Sequence, residues 1–280
     1  MRKWLRAIWR LVTRPFRWIK KTTQGFQKFM TTEPEDTPVG DSFQKALDQP
    51  DEILVHLDAF RKHILRALGF LALTTVFSFT FASQIIDILA QPVGGIKALV
   101  AIDPTEPIGV FMRVSLLSGF ALAFPYIALE LYLFVAPGLK RRSRLFGLFA
   151  IPVATFFFIG GMAFAYYIML PVAIPFLITF LGMEAQIRPS SYVRFVTGIL
   201  FWIGAIFEFP LIIYVLARIG LIRGETLAQQ WRIAIVVIAV LAAVITPTVD
   251  PVSMSLVMAP MVALYFLSIG LAHIAQRSRA

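Results

Sequence analysis

At 280 residues, 58% hydrophobic and only 15% charged, with a mean hydropathy of +0.78, the chain falls outside the range of soluble globular domains, which average about 45–50% apolar and about 25% charged. It reads as an integral membrane protein, and because the apolar residues come in long runs without dyad alternation, as an all-α one rather than a barrel. The absence of cysteine excludes disulfides, thiolate metal sites, iron–sulfur clusters and cysteine nucleophiles, whereas the net charge of +10 acquires meaning only from where it lies along the chain.

Met1–Met30 has no acidic residue and carries Arg2, Lys3, Arg6, Arg10, Arg14, Arg17, Lys20, Lys21 and Lys28 among Trp4, Ile8, Trp9, Leu11, Phe16, Trp18 and Ile19. Arg2, Arg6 and Arg10 share a helical face, which is the signature of an interfacial helix drawn to anionic lipid. A disordered basic tail is the alternative. An organellar transit peptide would be serine-rich, and the first serine is Ser42. Residues 31–50 follow as an acidic, proline-containing linker that cannot bury enough surface to fold, and a membrane domain is expected over 51–272, with a basic tail at 273–280. Within it, runs near the 20 apolar residues or so that cross a bilayer predict spans at about 64–89, 108–135, 145–168, 195–217, 233–245 and 252–272. The fifth is short and implies local thinning or snorkelling flanks. Pro171–Gly182, shorter still and holding Pro171 and Pro175, is expected as an outer-surface or re-entrant segment.

Lys and Arg collect on the cytoplasmic side of membrane proteins. Six spans place twenty-two on one side, and only Lys97, Arg113, Arg188 and Arg194 on the other. Both termini are therefore expected in the cytoplasm, and the basicity belongs to the inner membrane face rather than to nucleic-acid binding. Prolines at 125, 137, 247 and 260 predict bends, and with them a curved, concave bundle.

No enzyme constellation emerges. His56, His63 and His273 lie at expected cytoplasmic helix ends without HExxH spacing, there is no P-loop, and Ser190, Ser191, Ser253 and Ser255 read as helix caps; no cofactor or metal is implied. What stands out is acid within apolar runs: Glu208 in Phe207–Glu208–Phe209–Pro210 and Glu130 in Leu129–Glu130–Leu131–Tyr132. An ionised carboxylate facing lipid at mid-depth costs at least ~2.5 kcal/mol, so each should face protein or a polar cleft, either protonated or paired for structure, or marking the path of a substrate or partner.

Over Asp51–Ala272 these pieces, in order, resemble the TatC family, the multispanning core of the twin-arginine protein translocase. His56–Leu57–Asp58–Ala59–Phe60–Arg61 resembles the family's HLxELR, and Pro104–Thr105–Glu106 with Arg113 opens span two. Pro125 and Leu129–Leu139, ending Pro137–Gly138–Leu139, resemble P…YQxWxFxxPGL. Tyr166, Pro171 and Phe176, then Phe207–Pro210, then Thr246–Pro247–Thr248–Val249–Asp250–Pro251 with Pro260 and Leu264–Tyr265 complete the series.

The resemblance implies a glove-shaped six-helix receptor in a bacterial or archaeal plasma membrane rather than a thylakoid or mitochondrial one. It would bind twin-arginine signal peptides at the cytoplasmic face, recruit single-span TatA and TatB partners, self-associate within the translocase and export folded cargo on the proton-motive force. Signal-peptide contacts are implied at His56, Leu57, Asp58, Arg61, Pro137, Gly138 and Leu139, and the partner or signal path at Glu208, Glu130, Thr246, Met254 and Asp250. The chain departs from the family at the two positions where carboxylates meet the arginine pair: Ala59 replaces the HLxELR glutamate, and Ser143 stands in the basic loop Lys140–Arg144. Asp58 and the acids of the linker are the substitutes available. The alternatives are a divergent paralogue or scaffold without twin-arginine recognition, and a proton-coupled small-molecule transporter using Glu130 and Glu208, although the two halves of the chain show no internal repeat of the kind such transporters carry.

Overall fold

The computed structural model describes residues 50–138, 141–179, 186–246 and 250–277. The basic segment and linker expected over residues 1–49, the motif residue Leu139, and Pro247–Val249 lie outside these. Among the described residues the chain is all-helical, apart from one isolated parallel bridge between Leu99 and Ile187.

Helix α1 covers Pro50–Ser78. It ends where tight bonds from Phe79, Thr80 and Phe81 N–H to the carbonyls of Val76, Phe77 and Ser78 replace the helical ladder, and the chain then turns by 77° into α2, Ala82–Ala90. The expected span 64–89 is thus two helices. Hydrophobicity alone does not reveal such a bend, but hydroxyls do. Thr74 and Thr75 donate to Leu71 O, and Thr80 donates to Phe77 O, and side chains that bond back to carbonyls one turn earlier bend or end helices. Ala82, Ile86, Leu89 and Ala90 give α2 its buried stripe. Gly94 and Gly95, both at φ +94°, then reverse the chain in a left-handed geometry that costs residues with a Cβ more than it costs glycine.

Helix α3, Glu106–Val135, carries Pro125 inside it and runs into a tight turn at Ala136–Gly138. Helix α4, Arg141–Phe164, passes through a π turn, Ala165–Met169, directly into α5, Leu170–Thr179. The segment expected to leave the helix at Pro171 instead continues it. From Gly147 to Thr179 the helical stretch has 33 residues, about 50 Å at 1.5 Å per residue, which is longer than a hydrocarbon core. Pro171 is tolerated because it lies in the first turn of α5, just where the hydrogen-bond register changes and its missing N–H costs least; Pro175 sits inside α5.

The fourth apolar run forms α6, Pro189–Phe207, and α7, Phe209–Ile219, which meet at Glu208. Gly220, at φ +87°, ends α7. The short α8, Gly224–Gln229, leads into α9, Trp231–Ile245, and α10, Pro251–Arg277. The residues expected as a tail from 273 are therefore helical as far as Arg277. Among the described residues four helical stretches are long and apolar enough to cross a membrane, and five if the bent pair α1–α2 is one span; the 15-residue α9 is apolar but shorter.

The chain divides into two compact units, Met1–His63 with Leu131–Phe149, and Ile64–Glu130 with Ala150–Ala280. In the first, the Phe134 ring meets Phe60 at 5.1 Å and both His56 and His63 at 6.2 Å. Gly147 abuts the Tyr132 ring so closely that a Cβ would collide with it. In the second, one apolar core joins Ile86 and Leu89 of α2, Val110, Val114 and Leu117 of α3, Leu170 and Ile174 of α5, Val193–Ile203 of α6, Ile238 of α9 and Val257, Met261 and Tyr265 of α10. Two close crossings set its spacing. Gly119 of α3 meets the Thr75 backbone of α1, and Thr74 Oγ1 donates to the Gly119 carbonyl at 2.9 Å. Gly161 of α4 faces Gly204 of α6 so closely that a Cβ on it would lie 2.9 Å from the Gly204 Cα. Small residues at such crossings let backbones approach, the main source of helix association in lipid.

Candidate functional site

Glu208 occupies the joint between α6 and α7. Its backbone accepts the Ile212 N–H at 3.0 Å, and Pro210 stands two residues on, where no N–H is needed. The residue is buried, and its Oε1 has no hydrogen-bond partner. Around it the Gly161–Gly204 crossing brings Phe158 and Phe207 close, and Phe158 stacks on Phe124 at 4.2 Å and 9°. A buried carboxylate oxygen without a partner in an aromatic setting is costly for folding alone.

Glu130 is placed differently. Its Oε1 accepts the Tyr126 hydroxyl at 2.6 Å, one turn earlier on α3, and its Oε2 lies 3.6 Å from Arg66 Nη1 of α1. The two intramembrane acids expected to act alike are thus distinct, one paired with a cation and one with an open oxygen.

The remaining expected site residues separate by unit. In the first unit, His56, Leu57 and Arg61 are exposed, and Asp58 is engaged by Lys62 at 2.7 Å, one turn on along α1. Pro137 and Gly138 form the turn after α3. In the second unit Thr246 ends α9, its hydroxyl donating to Ala242 O at 2.9 Å, while Asp250 caps α10 by accepting the N–H groups of Val252 and Ser253 at 3.0 and 2.7 Å. Met254 packs against the main core. Thr246 and Asp250 are therefore engaged as helix end and cap.

Comparison with known proteins bears on what this arrangement serves. The family model for Sec-independent protein translocase protein (TatC) matches residues 55–260. The chain belongs to the TatC family. A relative from Carboxydothermus hydrogenoformans, the Sec-independent protein translocase protein TatC, is 34% identical over 228 residues, covering 80% of this chain and 94% of that protein. The TatC of Deinococcus radiodurans is 35% identical, covering 78% and 84%. A crystal structure of the twin arginine translocase receptor TatC superposes with a TM-score of 0.71 at 30% identity, over 79% of this chain and all of the other. With bacterial relatives of this family and several apolar helices suited to crossing a bilayer, the chain is placed in the plasma membrane.

Two features of this chain carry no signal in its sequence. One is the Arg66 partner of Glu130; the i, i+4 spacing of Tyr126 and Glu130 was the readable half of that node. The other is a polar link between the segments that precede α3 and α6. Val100 N–H donates to Ile187 O at 3.0 Å beside the Leu99–Ile187 bridge, and Arg188 Nε donates to Glu106 Oε1 at 2.8 Å, its Nη2 reaching the same oxygen. Asp103 accepts both the Thr105 N–H and its hydroxyl at 2.8 Å, and these bonds, aided by Arg188, hold its carboxyl below the usual range. Nearby, Tyr166 and Tyr192 donate to the last carbonyls of α2, Ile88 and Leu89, at 2.7 Å each. No motif announces pairs between residues 82 positions apart.

Proposed function

We propose that the chain is the receptor subunit of a twin-arginine translocase, binding signal peptides of folded cargo at the cytoplasmic face and recruiting single-span TatA- and TatB-type partners. Six spans with both termini cytoplasmic, and residues 1–30 on anionic lipid, complete the reading. One observation carries it: within a TatC-family fold, Glu208 keeps a buried, unpartnered oxygen at a helix joint. A polar side chain of a single-span helix passing through lipid is the natural donor, since such bonds link helices by about 0.6 kcal/mol on average. Thr246, Met254 and Asp250 form a second, softer candidate region for a partner helix at the junction of α9 and α10. Export would draw on the proton-motive force and proceed in an assembly with several copies of the chain.

Membranes containing the protein, offered a twin-arginine peptide carrying a photo-crosslinker, should give labelled adducts within Asp51–Arg66 or Pro137–Leu145. Absence of label from both segments rejects the receptor reading. Glu208→Ala should abolish co-purification of the single-span partners. If it instead abolishes proton-linked flux of a small solute and leaves partner assembly intact, the protein is a transporter.

A further inference from the structure

We infer that Arg113 is a binding residue for the phosphodiester of an outer-leaflet phospholipid, which its guanidinium reaches along an open lane over Gly109. The inference rests on the topology proposed above, in which the N-terminus of α3 lies outside.

The cation stands out by its position and by its lack of a partner. Arg113 is exposed and lies seven residues after Glu106, the start of α3, which places its Cα about 10 Å along the helix at 1.5 Å per residue. It is one of only four cations expected on the outer side, Lys97, Arg113, Arg188 and Arg194, and Arg188 is taken up by Glu106. Among the described residues Arg113 has neither an ion pair nor a hydrogen bond. A guanidinium keeps its charge in a protein, and in an apolar helix it needs an acceptor.

The surroundings leave one direction open. Side chains on a helix lean toward its N-terminus, over the residue one turn earlier, and for Arg113 that direction is outward. Along its row, at four-residue spacing, Thr105 and Gly109 are exposed and Leu117 is buried. Gly109 has no side chain, and a Cβ placed there would meet nothing within 4 Å. The way inward is closed and the way outward is vacant. On the adjacent row Ile108, Met112 and Leu116 are exposed and form an apolar wall for acyl chains beside the lane. Arg113 can therefore lay its stem along apolar surface and carry its head to the layer where phosphates begin. There its planar fork matches a phosphodiester with two parallel bonds, and the contact registers α3 against the outer head groups.

The chain has no cysteine, so Ala101→Cys supplies a single thiol in the exposed segment before α3. In intact cells a membrane-impermeant maleimide should label it from outside; labelling from the inner side alone overturns the topology, and the inference with it. For binding, the full chain, stripped of lipid in detergent, is titrated with phosphatidylglycerol and with a phosphorus-free diglycosyl diacylglycerol, and bound lipids are counted by native mass spectrometry. Arg113→Gln should weaken one binding step for phosphatidylglycerol about 5-fold, the scale of one basic residue near a lipid surface, and leave the glycolipid unaffected. Gly109→Leu should weaken the same step although Arg113 is intact, because leucine occupies the lane. It should melt no lower than wild type, since leucine favours a helix over glycine and meets open space. A cation that is simply hydrated predicts no effect of Gly109→Leu on lipid. Unchanged phosphatidylglycerol binding in Arg113→Gln, equal loss of the glycolipid, or displacement of the lipid by inorganic phosphate in the buffer overturns the inference while the topology stands. So does an Arg113→Gln protein that keeps its lipid but no longer co-purifies with single-span partners, because the cation then serves a helix. Should Arg113→Gln not fold, the lipid step and melting temperature of Gly109→Leu decide the matter.

Discussion

The Glu106–Arg188 pair should be asymmetric. The Glu106 side chain is 5% exposed and Arg188 46%; Oε1 takes both guanidinium contacts, and Oε2 has no partner. Arg188→Ala leaves a buried carboxylate with both oxygens unsatisfied. Breaking a fully buried pair in this way costs about 3–5 kcal/mol. Because Arg188 is nearly half-exposed, water can enter the space it vacates, and the expected loss falls to about 1–3 kcal/mol. Glu106→Gln removes the charge but keeps an acceptor, and the cation left behind is free to hydrate, so about 1 kcal/mol or less is expected. The sign then reverses in combination: on the Arg188→Ala background Glu106→Gln should stabilise, because it neutralises an orphaned charge. Thermal unfolding of the four proteins in one detergent, followed by tryptophan fluorescence and by loss of the monodisperse peak on gel filtration, measures the cycle. Two outcomes refute the reasoning: equal cost for the two single variants, or a double variant less stable than Arg188→Ala alone.

Gly161→Val pushes two methyl groups toward the Gly204 Cα, Ile203 O and Phe207, where a Cβ alone would lie at 2.8–2.9 Å; destabilisation of about 1–3 kcal/mol or more is expected by the same melting assay, whereas Gly160→Val, with open space, should be close to neutral. Asp250→Ala removes two capping bonds from α10 and should cost about 1 kcal/mol, seen as faster amide exchange at Val252 and Ser253 with little change near Ser268. Asp103 has a depressed carboxyl pKa, so its contribution is present above the ordinary aspartate range near 4 and is lost as pH falls through its lower folded value; the stability profile of Asp103→Asn should differ from wild type above pH 4 and converge with it below, and a difference confined to acid pH would contradict the assignment.

How much could be read before folding differs between fold and site, for physical reasons. Apolar runs locate candidate membrane helices because transfer into lipid depends on composition averaged over a window; among the described residues five of the six runs coincide with helices, four of them in stretches long and apolar enough to cross. The first run is two helices rather than one because its break, at Phe79–Phe81, is set by local N–H and Thr80 hydroxyl bonds to preceding carbonyls, which a hydropathy window does not register. Pro171 misled in the other direction, since a π turn can absorb a proline that an α-helix would not. At the site, Glu208 was legible as an acid that turns inward: an acid in an apolar run has few places to go, and the residue is buried at the α6–α7 joint. Asp250, expected on the partner or signal path, caps α10. Arg66 was counted only as one positive charge among the inner-face residues, and Arg188 as one of four on the opposite side. Their partners, Glu130 and Glu106, are distant in sequence, and single-sequence patterns carry no information on which helices meet.

The π turn at Ala165–Met169 acts as a rotational offset in an otherwise continuous helix. A π turn holds one residue more than the α turn it replaces, and one residue corresponds to about 100° around the axis. Everything C-terminal to it is therefore phased as though by a single-residue insertion. Leu170, Ala173 and Ile174 are buried in that phase; the same residues wound as an unbroken α-helix would turn Leu170 and Ile174 outward and bring Val172 inward, whereas removing one residue from the turn would leave the facing unchanged. The C-terminal end of the long helix is thus aimed by the turn as well as by the α-helix before it, so that an insertion absorbed there need not disturb the faces on either side.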